Sequence, residues 1–361
     1  MKKISILINE HKSEYENNEK LPLNFEDVDK FYSSMDEYET TPTVSLSALA
    51  EKTGVKGIYV KDESKRFGLN AFKGLGVSYS LNCLMEREGK EKMLLVSCTD
   101  GNHGRALAWR AEKTGSECVI FMPSGSDEKR VKAIEKFGAK VIVTDKNYMD
   151  TIYEAQKYAH ENGGYLVQDM SFEGYDSFVP DNIVMGYSQM IKEAVEQMSE
   201  KPTHIFIQAG VGSAAGGVAW YVYNRMKKDN IFIGVIEAEN VACIYESVKE
   251  NKNVVIDGIT YTAMAGLNCG EANPRTLPLL KSVCGVFIKC SDDITFKGMK
   301  RSQNPFGDDE KFNGGESGAV GLGFVEEILT NNEYENEKKS MAIDKNSVIL
   351  VFNTEGSVES L

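Results

Sequence analysis

The chain has 361 residues, 42% of them hydrophobic, with 54 acidic against 41 basic side chains and a net charge of -13. That length and apolar share support a packed core and two domains. An acidic chain without a basic cluster makes a poor nucleic-acid binder, and no apolar run approaches the roughly 18 residues of a membrane span.

The first segment, MKKISILINEHKSEYENNEK, has an apolar part, ISILI, too short for a secretory signal. It reads as the start of a mature cytoplasmic protein, and the first 40 residues read as polar and mostly irregular. Strand-like runs then recur at 92–98, 118–123, 140–145, 204–210, 231–238 and 347–353. Helical spacing fills the gaps at 103–115, 127–139, 185–198 and 214–226, the second with Val131, Ile134 and Phe137 on one stripe. Alternation of strand and helix predicts an α/β fold with open, twisted, largely parallel sheets flanked by helices. Near-continuous apolar strands fit burial on both faces. The Gly- and Asp-rich stretch 295–318 is expected to be a long irregular loop, and its part 298–318 to close over a site. Seven scattered cysteines, an odd number without CxxC spacing, suggest neither a disulfide framework nor a metal site. A redox link between Cys243 and Cys269 is open.

Two glycine loops follow strands and open helices. SCTDGNHGRA (97–106) presents backbone N–H groups at a helix start, a setting for a carboxylate. QAGVGSAAGG (208–217) would let a phosphate approach the backbone, with the helix dipole behind it. Its G-x-G-x-x-x-G spacing, with Glu237 ending the next strand, keeps a dinucleotide in play. Lys73 breaks the tie. It lies in GLNAFKGLG among apolar residues, with no acid nearby in sequence. A desolvated lysine is a nucleophile toward an aldehyde. A lysine imine plus a glycine phosphate cradle describes pyridoxal 5'-phosphate (PLP).

Together these motifs resemble the fold type II PLP enzymes, the tryptophan synthase β-like group. Within that group the stretches KDESKRFGLNAFKGLG (61–76), SCTDGNHGRALAW (97–109), VQDMSFEGYD (167–176), QAGVGSAAGGVA (208–219), TAMAGLNCGEANP (262–274), GGESGAVGLG (314–323) and NTEG (353–356) are similar to the diaminopropionate ammonia-lyase family. The resemblance implies a large PLP-binding domain of residues 1–75 and 188–361, a small substrate-loop domain of 76–187, and a homodimer. It implies that Lys73 is the Schiff-base lysine, that Phe72 packs near the ring, and that Asn102 bonds the ring hydroxyl. Gly210, Val211, Gly212, Ser213 and Ala214 would cradle the phosphate. Thr99, Gly101 and His103 would help hold the substrate carboxylate. Asp100 stands where dehydratases carry serine. It would be the second base, taking the α-proton from the D-isomer while Lys73 takes it from the L-isomer. Asp169 would contact the substrate amino group.

The family typically reads S-T-E-G where Asn353, Thr354, Glu355 and Gly356 stand here, so either Asn353 or Thr354 would face the pyridine nitrogen. The family also usually runs on beyond the position of Leu361, which implies a loosened cofactor site or dimer contact. The implied reaction is α,β-elimination of ammonia from 2,3-diaminopropionate, a small amino-acid substrate, to pyruvate and two ammonia. The rivals are a serine or threonine dehydratase of the same fold, a dinucleotide-dependent oxidoreductase resting on Gly210, Gly212 and Glu237, and a non-catalytic PLP or amino-acid binding protein.

Overall fold

A computed structural model describes residues 3–10, 12–15, 21–99, 101–172, 174–256 and 261–357; Asp100 and the end of the chain past residue 357 lie outside these. The strands in chain order are β1 (Ile4–Ile8), β2 (Thr43–Ser45), β3 (Gly57–Asp62), β4 (Leu94–Cys98), β5 (Glu117–Met122), β6 (Lys140–Val143), β7 (Tyr165–Leu166), β8 (His204–Gln208), β9 (Phe232–Ala238), β10 (Val286–Cys290) and β11 (Val348–Asn353).

The chain divides into two units. The first draws on residues 1–21, 39–70 and 188–360. Its sheet has the order β1-β10-β9-β8-β11-β3-β2. The inner pairs are parallel, and short antiparallel strands β1 and β2 close the two edges. Every residue of β8 and of β11 is buried, which explains their unbroken apolar text at the sheet centre. The second unit draws on residues 22–38 and 71–187. Its sheet, β6-β5-β4-β7, is parallel throughout. The architecture is the α/β pattern read from the sequence. Among the described residues no helix is long and apolar enough to cross a membrane.

Two expectations need correction. The first 40 residues are not mostly irregular. Ile4–Ile8 pairs antiparallel with β10, and Phe25–Ser34 is a helix that buries Phe25, Val28 and Tyr32. Stretch 295–318 is not one irregular loop, because its first part belongs to the helix Asp292–Gln303. The remainder is pinned within the first unit. Asp309 accepts from the Ala48 and Leu49 amides at 2.8 and 3.0 Å, Arg301 stacks 3.7 Å from the Phe306 ring, and Phe312 is buried.

The first unit also encloses a charged group. Glu193 accepts from Lys61 Nζ at 2.6 Å and from Arg66 Nη2 at 2.7 Å, and Arg66 binds Glu63 through Nε at 2.8 Å. All four side chains are buried, and two cations face two anions. The neutral total is what makes burial tolerable. It fixes the KDESKR segment that leads toward Lys73.

Candidate active site

Lys73 is the first residue of the helix Lys73–Glu88. The glycines around it are there for close approach. A Cβ on Gly76 would sit 2.7 Å from Ile183 Cγ2, and one on Gly186 would sit 2.7 Å from the Leu75 carbonyl oxygen. Helices Lys73–Glu88 and Phe178–Gln197 therefore meet nearly backbone to backbone, which sets Tyr187 beside the lysine. Lys73 Nζ is 5.1 Å from the Phe72 ring centroid and 5.7 Å from that of Tyr187. Those two rings lie 4.8 Å apart.

The apolar sequence around Lys73 is answered in space by a carboxylate. Its ammonium pairs with Asp169 Oδ2, and both side chains are mostly buried. Burial alone would raise the Asp169 carboxyl, but the charge of Lys73, then that of His103, and the hydrogen bond from Lys73 outweigh it and hold the group at about 2. Asp169 is an anion here.

The strap carrying Asp169 is tied to the end of β4. Ser97 Oγ donates to the Val167 carbonyl at 2.7 Å, and Gln168 Nε2 donates to the Cys98 carbonyl at 2.9 Å. His103 completes the tie, with Nε2 2.9 Å from the same Val167 carbonyl. A carbonyl can only accept, so Nε2 carries the proton and Nδ1 is a lone pair. That Nδ1 is buried without a partner, and burial lowers the ring's pKa. Thr99 is buried, and its Oγ1 accepts from the Gly101 amide at 3.2 Å. Asn102 opens the helix Asn102–Thr114, and its Oδ1 accepts from Arg105 at 3.3 Å. The second unit thus gathers Phe72, Lys73, His103 and Asp169, with Thr99, Gly101 and Asn102 on the loop that leads to His103. Asp100 lies outside the described residues.

The first unit holds the remaining residues. β8 ends at Gln208, and Gly210–Gly212 turn into the helix Ser213–Arg225, whose start no side chain caps. Gly212 has φ 96°, and a Cβ there would lie 2.9 Å from Ile244 Cδ1; one on Gly210 would lie 3.0 Å from Cys269 Sγ. Ser213 Oγ accepts from Asn273 Nδ2 at 2.9 Å, and the Val211 carbonyl accepts from the Asn273 amide at 2.7 Å. Ala214 follows on the first helical turn. The first-turn N–H groups of such a helix have no intrahelical acceptor and suit an anion.

Beside this loop β11 ends in Asn353, with Thr354 next in the chain, both buried. Asn353 Nδ2 donates to Asp62 Oδ1 at 2.7 Å and to the Asn313 carbonyl at 2.9 Å. Thr354 Oγ1 accepts from Gln208 Nε2 at 3.0 Å. Segment 314–318 folds onto this strand end. The Gly315 amide donates to the Glu355 carbonyl, and the Ser317 amide donates to Glu355 Oε1, both at 2.9 Å.

The dinucleotide reading loses its acid. Glu237 is buried and accepts from the Ile244 and Tyr245 amides at 2.8 and 2.7 Å, at the start of the helix Cys243–Lys249. Burial, opposed by those two bonds, pushes it up to about 8. Its burial at the helix start keeps it from a ribose. Among the described residues, Cys243 and Cys269 are not joined by a disulfide.

Three residues that the sequence reading did not assign belong to these half-sites: Tyr187, Gln208 and Ser317. Gln208 had a signal, being the polar residue that closes the apolar run IFI just before the glycine loop. Tyr187 ends the text MGY (185–187), and nothing local showed that its ring would meet Lys73.

An aldehyde-bearing phosphate cofactor fits the residues present. The loop 210–214 is a cradle that side chains would fill, with an uncapped helix behind it, and Lys73 is a mostly buried amine. Comparison with known proteins agrees. The sequence model described as Pyridoxal-phosphate dependent enzyme matches residues 35–343. The chain is 40% identical to diaminopropionate ammonia-lyase of Escherichia coli strain K12, covering 91% of this chain and 87% of that one. It is 38% identical to diaminopropionate ammonia-lyase of Salmonella typhimurium strain LT2, covering 90% and 87%. The crystal structure of the Escherichia coli enzyme in complex with an aminoacrylate-PLP azomethine reaction intermediate superposes with a TM-score of 0.90 at 39% identity, covering 98% of this chain and 94% of that one. With a lysine and phosphate cradle of this kind and matches of this extent, the chain belongs to the family of pyridoxal-phosphate dependent enzymes.

Proposed function

We propose that this chain is a PLP-dependent lyase that eliminates ammonia from 2,3-diaminopropionate, giving pyruvate and ammonia. The observation that carries it is the pairing of Lys73 with Asp169 in a chain 40% identical to diaminopropionate ammonia-lyase. An amine for the cofactor aldehyde stands beside a carboxylate that stays ionised, and an ionised carboxylate suits a substrate with a second ammonium group.

Bound PLP supplies the electron sink that makes the α-hydrogen of an amino acid acidic. The chain's own groups do the rest. Lys73 holds the cofactor, Gly210, Val211, Gly212, Ser213 and Ala214 hold its phosphate, Phe72 packs by its ring, and Asn102 bonds its hydroxyl. Of the two candidates, Asn353 at the end of β11 and Thr354 just past it, Thr354 would face the ring nitrogen; the commitment of both Asn353 amide protons supports this reading. The helix start at Gly101–His103 receives the substrate carboxylate through backbone N–H groups, with Thr99 shaping that loop. Lys73 Nζ takes the α-proton of the L-isomer and Asp100 that of the D-isomer. Asp169 holds the substrate amino group. We also infer a cytoplasmic homodimer, as the resemblance implies.

The test is pyruvate release by PLP-loaded protein from separate D- and L-2,3-diaminopropionate, with L-serine and L-threonine alongside. Turnover of the diaminopropionates well above the hydroxy amino acids is expected, with loss in Lys73→Ala. Preferred turnover of serine or threonine would replace this reading with a dehydratase.

A further inference from the structure

Gln208 is a costly residue in its position. It is buried at the end of β8, and its Oε1 is buried with no hydrogen-bond partner. An unsatisfied buried carbonyl destabilises the fold, so an amide kept here acts through its other end. That end is crowded with acceptors. Nε2 lies 3.0 Å from the Ser317 carbonyl, 2.8 Å from that of Gly318, 3.0 Å from that of Phe352 and 3.0 Å from Thr354 Oγ1. Three carbonyl oxygens fix the orientation, because the flipped amide would set oxygen against oxygen.

The consequence falls on the Thr354 hydroxyl. An amide nitrogen donates and cannot accept, so the Thr354 proton cannot point toward Gln208. Without Gln208, those carbonyls would lose this donor and compete for that proton. With Gln208 in place, its two Nε2 protons are shared among the carbonyls and the hydroxyl oxygen, and the Thr354 proton is left for an acceptor other than Gln208. Asn353, the preceding residue, has the opposite polarity. Both its amide protons are spent on Asp62 and Asn313, and its buried Oδ1 has no partner. Of this pair it is Thr354, the residue just past the strand, whose side chain meets Gln208.

We propose that Gln208 is a positioning residue that sets the Thr354 hydroxyl as a hydrogen-bond donor to the cofactor ring nitrogen and so holds that nitrogen unprotonated. The inference rests on the assignment of PLP to this chain. Gln208 immediately precedes the loop 209–214, so one side chain couples the phosphate cradle to the electronic state of the ring. An unprotonated ring nitrogen is a weaker electron sink. That favours prompt loss of the β-substituent over the side reaction that leaves the cofactor in its amine form.

The experiment uses holoenzyme loaded with PLP carrying 15N in the ring, and reads the ring-nitrogen chemical shift in wild type, Gln208→Met, Thr354→Val and the double variant. Borohydride fixation of PLP on Lys73 is scored first in wild type, and failure there overturns the PLP assignment, not the role of Gln208. Given fixation, wild type should resonate at the unprotonated position. Gln208→Met should move toward the protonated position and convert more cofactor to its amine form per turnover. In the Thr354→Val background the Gln208 change should add nothing. A Gln208→Met protein that keeps PLP and the wild-type resonance overturns the proposal. So does a Gln208 effect that persists without the hydroxyl, since the amide would then only clamp Ser317 and Gly318. If Gln208→Met does not fold, Thr354→Ser and Thr354→Val decide. Serine should keep the wild-type resonance and valine should move it, and an unmoved valine variant overturns the proposal.

Discussion

Asp169→Asn probes the site's charge in the PLP-free protein, where the Lys73 amine is an ammonium. The substitution keeps the shape and removes the anion. With the Asp169 carboxyl held at about 2 against an ordinary 3.8, the native state favours the ionised form by roughly 2 kcal/mol, at about 1.36 kcal/mol per unit. The side chain is only 15% exposed, so solvent screening discounts this little. The sign follows from a depressed acid. The stabilisation is whole above the unfolded value, falls to about half near pH 3, and vanishes as pH drops through the folded value. Urea unfolding of wild type and Asp169→Asn at intervals between pH 3 and pH 7 reads it directly. The variant should be less stable by roughly 2 kcal/mol at pH 7, and the gap should shrink toward pH 3. Equal stability at pH 7, or a gap that widens on acidification, would refute the pairing as described.

Gly212→Ala forces a side chain into a positive φ and against Ile244, so PLP affinity should fall at least tenfold, about 1.4 kcal/mol, in a fluorescence titration. Glu193→Leu leaves Lys61 and Arg66 with Glu63 alone. It should cost about 3–5 kcal/mol in denaturant unfolding, and adding Lys61→Met should recover much of it, because the Arg66–Glu63 pair is then again neutral. Gly186→Ala should cost about 1–3 kcal/mol and lower turnover, since a methyl there meets the Leu75 carbonyl at the helix contact that sets Tyr187 beside Lys73.

What could be read from the sequence was what is local. β8, β9 and β11 are long apolar runs, and the two glycine loops directly follow strands. Both signals need only neighbouring residues. The helix Phe25–Ser34 was missed, although Phe25, Val28 and Tyr32 stand at helical spacing, because the charged residues between them masked the stripe. β1 was not legible, since ISILI becomes a strand only by pairing with β10, near the other end of the chain. The same holds for chemistry. Lys73 was conspicuous for lacking an acid nearby, and its acid lies 96 residues away. The direction of the His103 and Gln208 side chains depends on carbonyl oxygens, which no residue pattern displays.

The place of β11 in its sheet bears on how the chain is made. Val348 pairs with Gly57 on one side, and Ile349 pairs with His204 on the other, so the last strand is the sheet's central seam. Strands β4 to β7 all come from residues 94–166, and their sheet can assemble while synthesis continues. β3 and β8 must wait for residues 348–353 and meanwhile expose unpaired apolar edges. A ribosome stalled late would therefore carry a finished second sheet beside an open first one, a species open to edge-to-edge association. In refolding from denaturant, closure across nearly 300 residues should be the slow step, and yield should fall as protein concentration rises.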